Sequence, residues 1–162
     1  MEWFELQHSP GYDEPALYHL RLVSADGQPI PIPPLLDGPD VSGIVGIGEA
    51  GDFERRRLQI ISGIDRCYGH SAGELWRYLG MFTRIQEVFP GSRLQFTYRR
   101  AENKEQAETW EGEAVKEYII RRGQLPLLNR QLPRPYDDPV WNAVYEREFG
   151  TPATTSADTD QG

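Results

Sequence analysis

The stretch VGIGEAGDFERRR, residues 45–57, decides the fold, because a short apolar strand, a glycine-broken turn and a helix start follow one another within it. After the glycines the period of the pattern changes from two residues to helical spacing. The apolar positions that show this spacing are Phe53, Ile60, Ile61 and Ile64. Asp52 is the predicted N-cap, so three consecutive arginines, 55–57, fall in the first turns of the predicted helix.

The composition indicates one globular domain with an acidic balance. The chain has 162 residues, with 17 Lys and Arg against 25 Asp and Glu, for a net charge of −8. This charge argues against a surface coated with basic residues, so any nucleic-acid site has to be a local patch. A single cysteine excludes an internal disulfide framework and a cysteine-rich zinc site. We expect one domain over residues 1–150 and a disordered, small-polar tail over 151–162.

The hydropathy of the sequence indicates whether the chain has a membrane-spanning or signal segment. No run approaches the roughly 18 apolar residues of a membrane-spanning helix. The first residues, MEWFELQHSP, lack the basic start and apolar stretch of a signal peptide. We therefore expect no membrane partner and a cytoplasmic location.

Patterns on both sides of the opening stretch complete a small sheet with helices. Alternation predicts strands over 16–23 and 93–100, and the stretch VSGIVGI, residues 41–47, is predicted as a further short strand. Helices are predicted over 71–82, with Ser71 as cap, and over 103–122; a last helix over 138–150 forms a C-terminal extension. The order of these elements predicts an α+β domain built on a three-stranded sheet, mixed or antiparallel.

The predicted helix over 103–122 places one carboxylate on its apolar side. At about 100° per residue an apolar stripe forms, with Glu111 near its centre. The stripe consists of Ala107, Trp110, Ala114, Val115 and Tyr118. Burying a lone carboxylate costs several kcal/mol unless a cation, a metal or a hydrogen-bond donor compensates. Glu111 therefore has a structural ion pair, a position on a rim near solvent, or a role in a site.

The helix after the glycines places arginine on its apolar side in the same way. Arg57 falls among the apolar residues and Arg56 at their edge. Since the guanidinium fork suits phosphate or carboxylate, an inward Arg and an inward Glu indicate a phosphodiester site or one buried salt bridge. The glycines match neither a dinucleotide-binding fingerprint nor a P-loop.

Several motifs together resemble the GIY-YIG nuclease family. They are Tyr18 in ALY, GIG at 46–48, the arginines about eight residues later, the segment GHSAG at 69–73, an A-x-x-x-E on a later helix, and the closing LPLLN. The resemblance covers roughly residues 15–130. It implies a small three-stranded antiparallel sheet flanked by helices, and an endonuclease that cuts DNA with one divalent metal ion.

The resemblance assigns a role to each matching residue. Tyr18 is similar to the family tyrosine that orients or deprotonates the attacking water. Arg56, counted from Gly48, matches the arginine that stabilises charge on the phosphate, although the helical wheel favours Arg57. Glu111 is similar to the glutamate that binds the metal, for which Mg²⁺ or Mn²⁺ is implied. Asn129 resembles the asparagine that closes the site. His70 stands in for a family histidine, at a longer distance from the arginine than usual.

The chain departs from the family pattern at Gly46, where the second motif has a tyrosine. A polar residue one turn after the arginine is also replaced, by Ile60 or Ile61. Either Tyr68 and His70 replace these groups, or the domain binds DNA or a protein without cutting. A third interpretation is an unrelated α+β domain in which Arg57 and Glu111 form a structural bridge.

Overall fold

The computed structural model describes residues 2–36, 38–66 and 68–130. Within these ranges it contains four strands and four helices, listed here in chain order. They are β1 (Phe4–Glu5), β2 (Ala16–Val23), β3 (Ile44–Ala50), α1 (Phe53–Arg66), α2 (Ser71–Gly80), α3 (Thr83–Val88), β4 (Arg93–Arg100) and α4 (Lys104–Arg122). The predicted helix over 138–150 and the predicted tail over 151–162 lie outside the described residues.

The strands form one antiparallel sheet in the order β1-β4-β2-β3, so the predicted α+β fold with an antiparallel sheet flanked by helices is confirmed. The prediction of three strands is wrong, because β1 adds a fourth at the edge. In β1, Phe4 pairs with Phe96 and packs on its ring at 5.6 Å between centroids, and Glu5 binds Arg93 at 2.9 Å. A strand of two residues is too short to show a period in the sequence.

The sheet lies between two layers of helices. One face packs against α1 and α2 through Phe53, Ile60 and Ala72, and the other packs against α4 through Val115 and Tyr118. A change of register in the pairing of β2 with β3, between Leu20 and Arg21, is a bulge on β3.

Close packing of α1 on α2 depends on two glycines. A Cβ on Gly63 would lie 2.7 Å from the carbonyl oxygen of His70, and one on Gly73 would collide with the carbonyl of Ile60. The two helices can therefore approach to backbone contact, which brings the first residues of α2 beside α1.

The helix starts confirm one predicted cap and correct another. The Oδ1 of Asp52 accepts a hydrogen bond from the backbone N–H of Arg55 at 2.8 Å, as an N-cap does. The prediction of Ser71 as the cap of α2 is wrong. His70 is the cap, and its Nδ1 accepts from the backbone N–H of Ala72 at 3.2 Å. The short helix α3 was not predicted.

Candidate active site at the edge of the sheet

A cleft of about 680 Å³ opens along the outer edge of β3, between α1, α2 and α4. It brings together five of the six residues that the sequence singled out, although they come from five separate parts of the chain. They are Tyr18, Arg56, His70, Glu111 and Asn129. The sixth, Arg57, is not part of its lining.

Asn129 forms one wall of the cleft by completing the hydrogen bonds of β3. Its Oδ1 accepts from the backbone N–H of Ile47 at 3.0 Å, and its Nδ2 donates to the carbonyl of the same residue at 2.8 Å. The backbone N–H of Leu128 donates to the carbonyl of Val45 at 2.7 Å. The asparagine amide thus takes the place of a neighbouring strand, and the segment after α4 is fixed against the sheet edge.

Tyr18 reaches the cleft because Gly48, its partner on β3, has no side chain. A Cβ at Gly48 would collide with the Tyr18 hydroxyl, so the phenol ring lies over the glycine. Burial raises the pKa of Tyr18 to about 12, although the charge of Arg56 and a hydrogen bond from it oppose the shift. The phenol is therefore neutral at physiological pH.

Arg56 and His70 meet through the packing of α1 on α2. The Nη1 of Arg56 lies 3.0 Å from the Nε2 of His70. Burial, followed by the positive charges of Arg56 and Arg130, lowers the pKa of His70 to about 4. A neutral imidazole has one acceptor nitrogen, so the ring cannot accept from both Arg56 and the backbone N–H of Ala72. The contact between His70 and Arg56 is therefore weak.

Glu111 projects from α4 into the cleft beside a second carboxylate, Glu49. Burial and then the charge of Glu49 raise the pKa of Glu111 to about 7, against opposing effects of Arg56 and of a hydrogen bond from the backbone of Glu49. Glu111 was predicted to point inward, and it does so in the cleft rather than in the apolar core.

Glu49 was missed in the sequence, although it lines the same cleft. Its Oε2 is buried and has no hydrogen-bond partner among the described residues. Alternation along β3 places it on the same face as Ile47, which packs against α4. A charged residue at such an inward strand position is the signal that could have identified it.

Arg57 is buried, as the helical wheel predicted, with 5% of its side chain exposed. It lies in a different place from Arg56, because its Nε and Nη2 donate to the carboxylate of Glu54 at 2.9 and 2.6 Å. Its Nη1 donates to the carbonyl of Leu6 at 2.7 Å. The bridge between Arg57 and Glu111 that the third interpretation required is not formed.

The rim of the cleft carries two further cations. Lys104 pairs with Glu108 at 2.6 Å, and Arg130 pairs with Glu74 at 3.4 Å. Tyr68, considered as a replacement for the missing tyrosine, is 73% exposed and is not in the lining.

The described residues contain no group of three or more His, Cys, Asp or Glu side chains placed to hold a metal ion. A hard divalent cation that keeps its waters needs only one or two carboxylates, so this finding bears on chelating sites alone. None of helices α1 to α4 has both the length and the apolar character of a membrane span.

Comparisons with protein-family models, with curated proteins and with solved structures found no match to this chain.

Proposed function

We propose that this chain is a divergent GIY-YIG endonuclease, which hydrolyses DNA phosphodiester bonds with one divalent metal ion. The observation that supports the proposal is the convergence of Tyr18, Arg56, His70, Glu111 and Asn129 on one cleft. The resemblance selected these residues by their order in the sequence, without reference to their positions in space. An unrelated fold would have no reason to gather them at one edge of its sheet.

In this proposal Arg56 binds the scissile phosphate. Its guanidinium points into the cleft, and its contact with His70 is weak enough to give way to a better acceptor. A charge-assisted hydrogen bond to a phosphate oxygen is roughly twice as strong as a neutral one, so the exchange is favourable. Arg56 then stabilises the negative charge that develops on the phosphate during attack.

Tyr18 orients the attacking water. Because its pKa is raised to about 12, the phenol keeps its proton and acts through its hydrogen bonds instead of as a phenolate. The hydroxyl is fixed by the close approach to Gly48 and by Arg56, so a water bound to it has a defined position near the phosphate.

The carboxylate of Glu111 holds the divalent ion in this scheme. Among the described residues, the buried Oε2 of Glu49 in the same cleft has no hydrogen-bond partner, and a hard cation such as Mg²⁺ or Mn²⁺ would give it a partner. When bound, such an ion supplies Lewis-acid stabilisation to phosphate oxygens. His70 caps α2 beside Arg56, and Asn129 keeps the wall of β3 closed.

A second candidate function is a DNA-binding or protein-binding module of the same fold without nuclease activity. The observation that favours it is Gly46, which lines the cleft where the family has a tyrosine. No phenol replaces it from Tyr68, which is exposed to solvent. The chemical step would then lack one of the groups that position water and protons.

Incubation of supercoiled plasmid with the purified chain tests the proposal. We expect nicking that requires Mg²⁺ or Mn²⁺ and stops in EDTA. Glu111→Gln keeps the shape of the side chain but removes its charge, so cleavage should fall by about a hundredfold or more. Glu113→Gln is the matched control, because Glu113 is exposed two residues away on the same helix.

The outcome separates the two candidates. A wild-type chain that binds DNA in a gel-shift assay but cuts no form of it with either metal contradicts the endonuclease and favours the binding module. If Glu111→Gln and Glu113→Gln lost cleavage equally, cleavage would depend on the total charge of α4 and not on the position of Glu111 in the cleft.

A further inference from the structure

Glu49 has a feature that the proposed roles of Tyr18, Arg56 and Glu111 leave unexplained. Its Oε2 is buried in the cleft wall and, among the described residues, has no hydrogen-bond partner. A buried carboxylate oxygen without a partner costs free energy, unless a cation or a donor fills the space in front of it.

Glu49 and Glu111 both line the cleft at the edge of the sheet. Besides burial, the charge of Glu49 contributes to the raised pKa of Glu111, as expected for carboxylates that lie close together. The wall between them is rigid, because Asn129 and Leu128 occupy the hydrogen-bonding groups of Ile47 and Val45 on the same edge. Strand β3 carries Glu49 and helix α4 carries Glu111, so the two carboxylates face the same cleft.

Each cation that lines the cleft contacts at least one other side chain. Arg56 contacts His70 and Tyr18, Lys104 pairs with Glu108, and Arg130 pairs with Glu74. None of these contacts involves Glu49. Among the described residues, no hydrogen-bond donor reaches the Glu49 Oε2 atom, so a cation bound beside it would supply the missing partner.

We propose that Glu49 is a second oxygen ligand, so that Glu49 and Glu111 together hold one divalent cation in the cleft. The inference rests on the proposed function, and it extends the single-glutamate site that the resemblance implies. Two carboxylates suit an ion that keeps several waters and takes phosphate oxygens from the substrate. Two negative ligands also bind the ion more tightly than one.

Titration of the full-length chain with Mn²⁺, followed by the electron paramagnetic resonance of the free ion, tests this inference without DNA and without activity. Glu49→Gln and Glu111→Gln should each weaken Mn²⁺ binding by about tenfold or more, whereas Glu113→Gln should leave it unchanged. Thermal unfolding checks that each variant is folded. Glu49→Ala, which has no polar side-chain atom, should show the same loss as Glu49→Gln.

The results distinguish the inference from the proposed function. Wild-type affinity in Glu49→Gln, together with a loss in Glu111→Gln, overturns the role of Glu49 and leaves the endonuclease standing. A loss in both variants supports the two-carboxylate site. If the wild-type chain then cuts no plasmid, the site remains but the endonuclease is refuted. A wild-type chain that binds no Mn²⁺ at millimolar concentrations overturns the inference.

Discussion

Two adjacent arginines on α1 lie in regions of opposite character. Arg56 faces the cleft, where its nearest partners are a neutral imidazole and a neutral phenol. Arg57 lies in a buried contact under the first residues of the chain, where Glu54 and the carbonyl of Leu6 take its donors. Among the described residues Arg56 has no salt bridge, whereas each side-chain nitrogen of Arg57 donates a hydrogen bond.

The difference shows how a structural charge can be distinguished from a functional one. Around Arg57, opposite charges and hydrogen bonds compensate each other within the chain, so nothing needs to bind. Near Arg56, the two carboxylates Glu49 and Glu111 lie side by side next to an open volume. A chain gains no stability from such an arrangement, which is typical of sites that recognise a ligand.

The largest effects are expected when each arginine is replaced by alanine, because one variant should lose cleavage and the other should lose stability. Arg56→Ala removes the proposed donor to the phosphate, so cleavage should fall by about 10² to 10³-fold with little change in stability. Arg57→Ala leaves Glu54 and a buried carbonyl without their partner, and should lower the free energy of unfolding by on the order of 3 kcal/mol. Plasmid cleavage per folded molecule and urea denaturation measure the two quantities.

The reverse pattern would invalidate the comparison. If Arg57→Ala lost cleavage while its fold and stability were unchanged, the site arginine would be the one that the helical wheel favoured.

The pH dependence of stability should differ in sign between Glu111 and Glu54. The folded pKa of Glu111 is raised to about 7 from 4.5, so its contribution is present below pH 4.5 and is lost as the pH rises through 7. In EDTA, Glu111→Gln should therefore become more stable than wild type between pH 5 and pH 8, by on the order of 2 kcal/mol. Urea denaturation at both pH values measures the change.

Glu54 provides the opposite case. A hydrogen bond from Arg57 lowers its pKa, so its contribution is present above the ordinary pKa and is lost as the pH falls through the folded value. Glu54→Gln should thus be less stable than wild type at pH 8, with a smaller difference in acid. A parallel pH profile for the two variants would mean that Glu111 is also part of an ion pair.

Much of the fold was predictable because long elements repeat their pattern. The helix around Glu111 and the strands around Tyr18 and Phe96 span several turns or alternations, which average over local exceptions. Strand β1 has two residues and helix α3 has six, so neither repeats its pattern often enough to be recognised.

The candidate site was predictable in part. Tyr18, His70, Glu111 and Asn129 follow an order along the chain, which the sequence displays directly. The choice between Arg56 and Arg57 depends on what packs on each side of α1, and Leu6 is about fifty residues away in sequence. Glu49 was missed for a similar reason, since its environment is formed by α4, which follows much later in the chain.

The smallest effect expected concerns Gly46, whose position in the cleft is next to Leu20. A Cβ there would lie 3.2 Å from the Leu20 Cδ1 and 3.3 Å from the Leu20 Cβ, so Leu20 has to shift by a few tenths of an ångström to admit it. Gly46→Tyr would place a phenol on the same face of the sheet as Tyr18, where it would share in positioning water and protons.

We expect cleavage to rise by about tenfold, less than a fully evolved acid or base provides. Gly46→Ala is the matched control, because it adds the same Cβ without the phenol and should leave the rate unchanged. Equal rates for the two variants would show that the missing phenol does not limit the reaction, and that Arg56 and the carboxylates carry the chemistry without it.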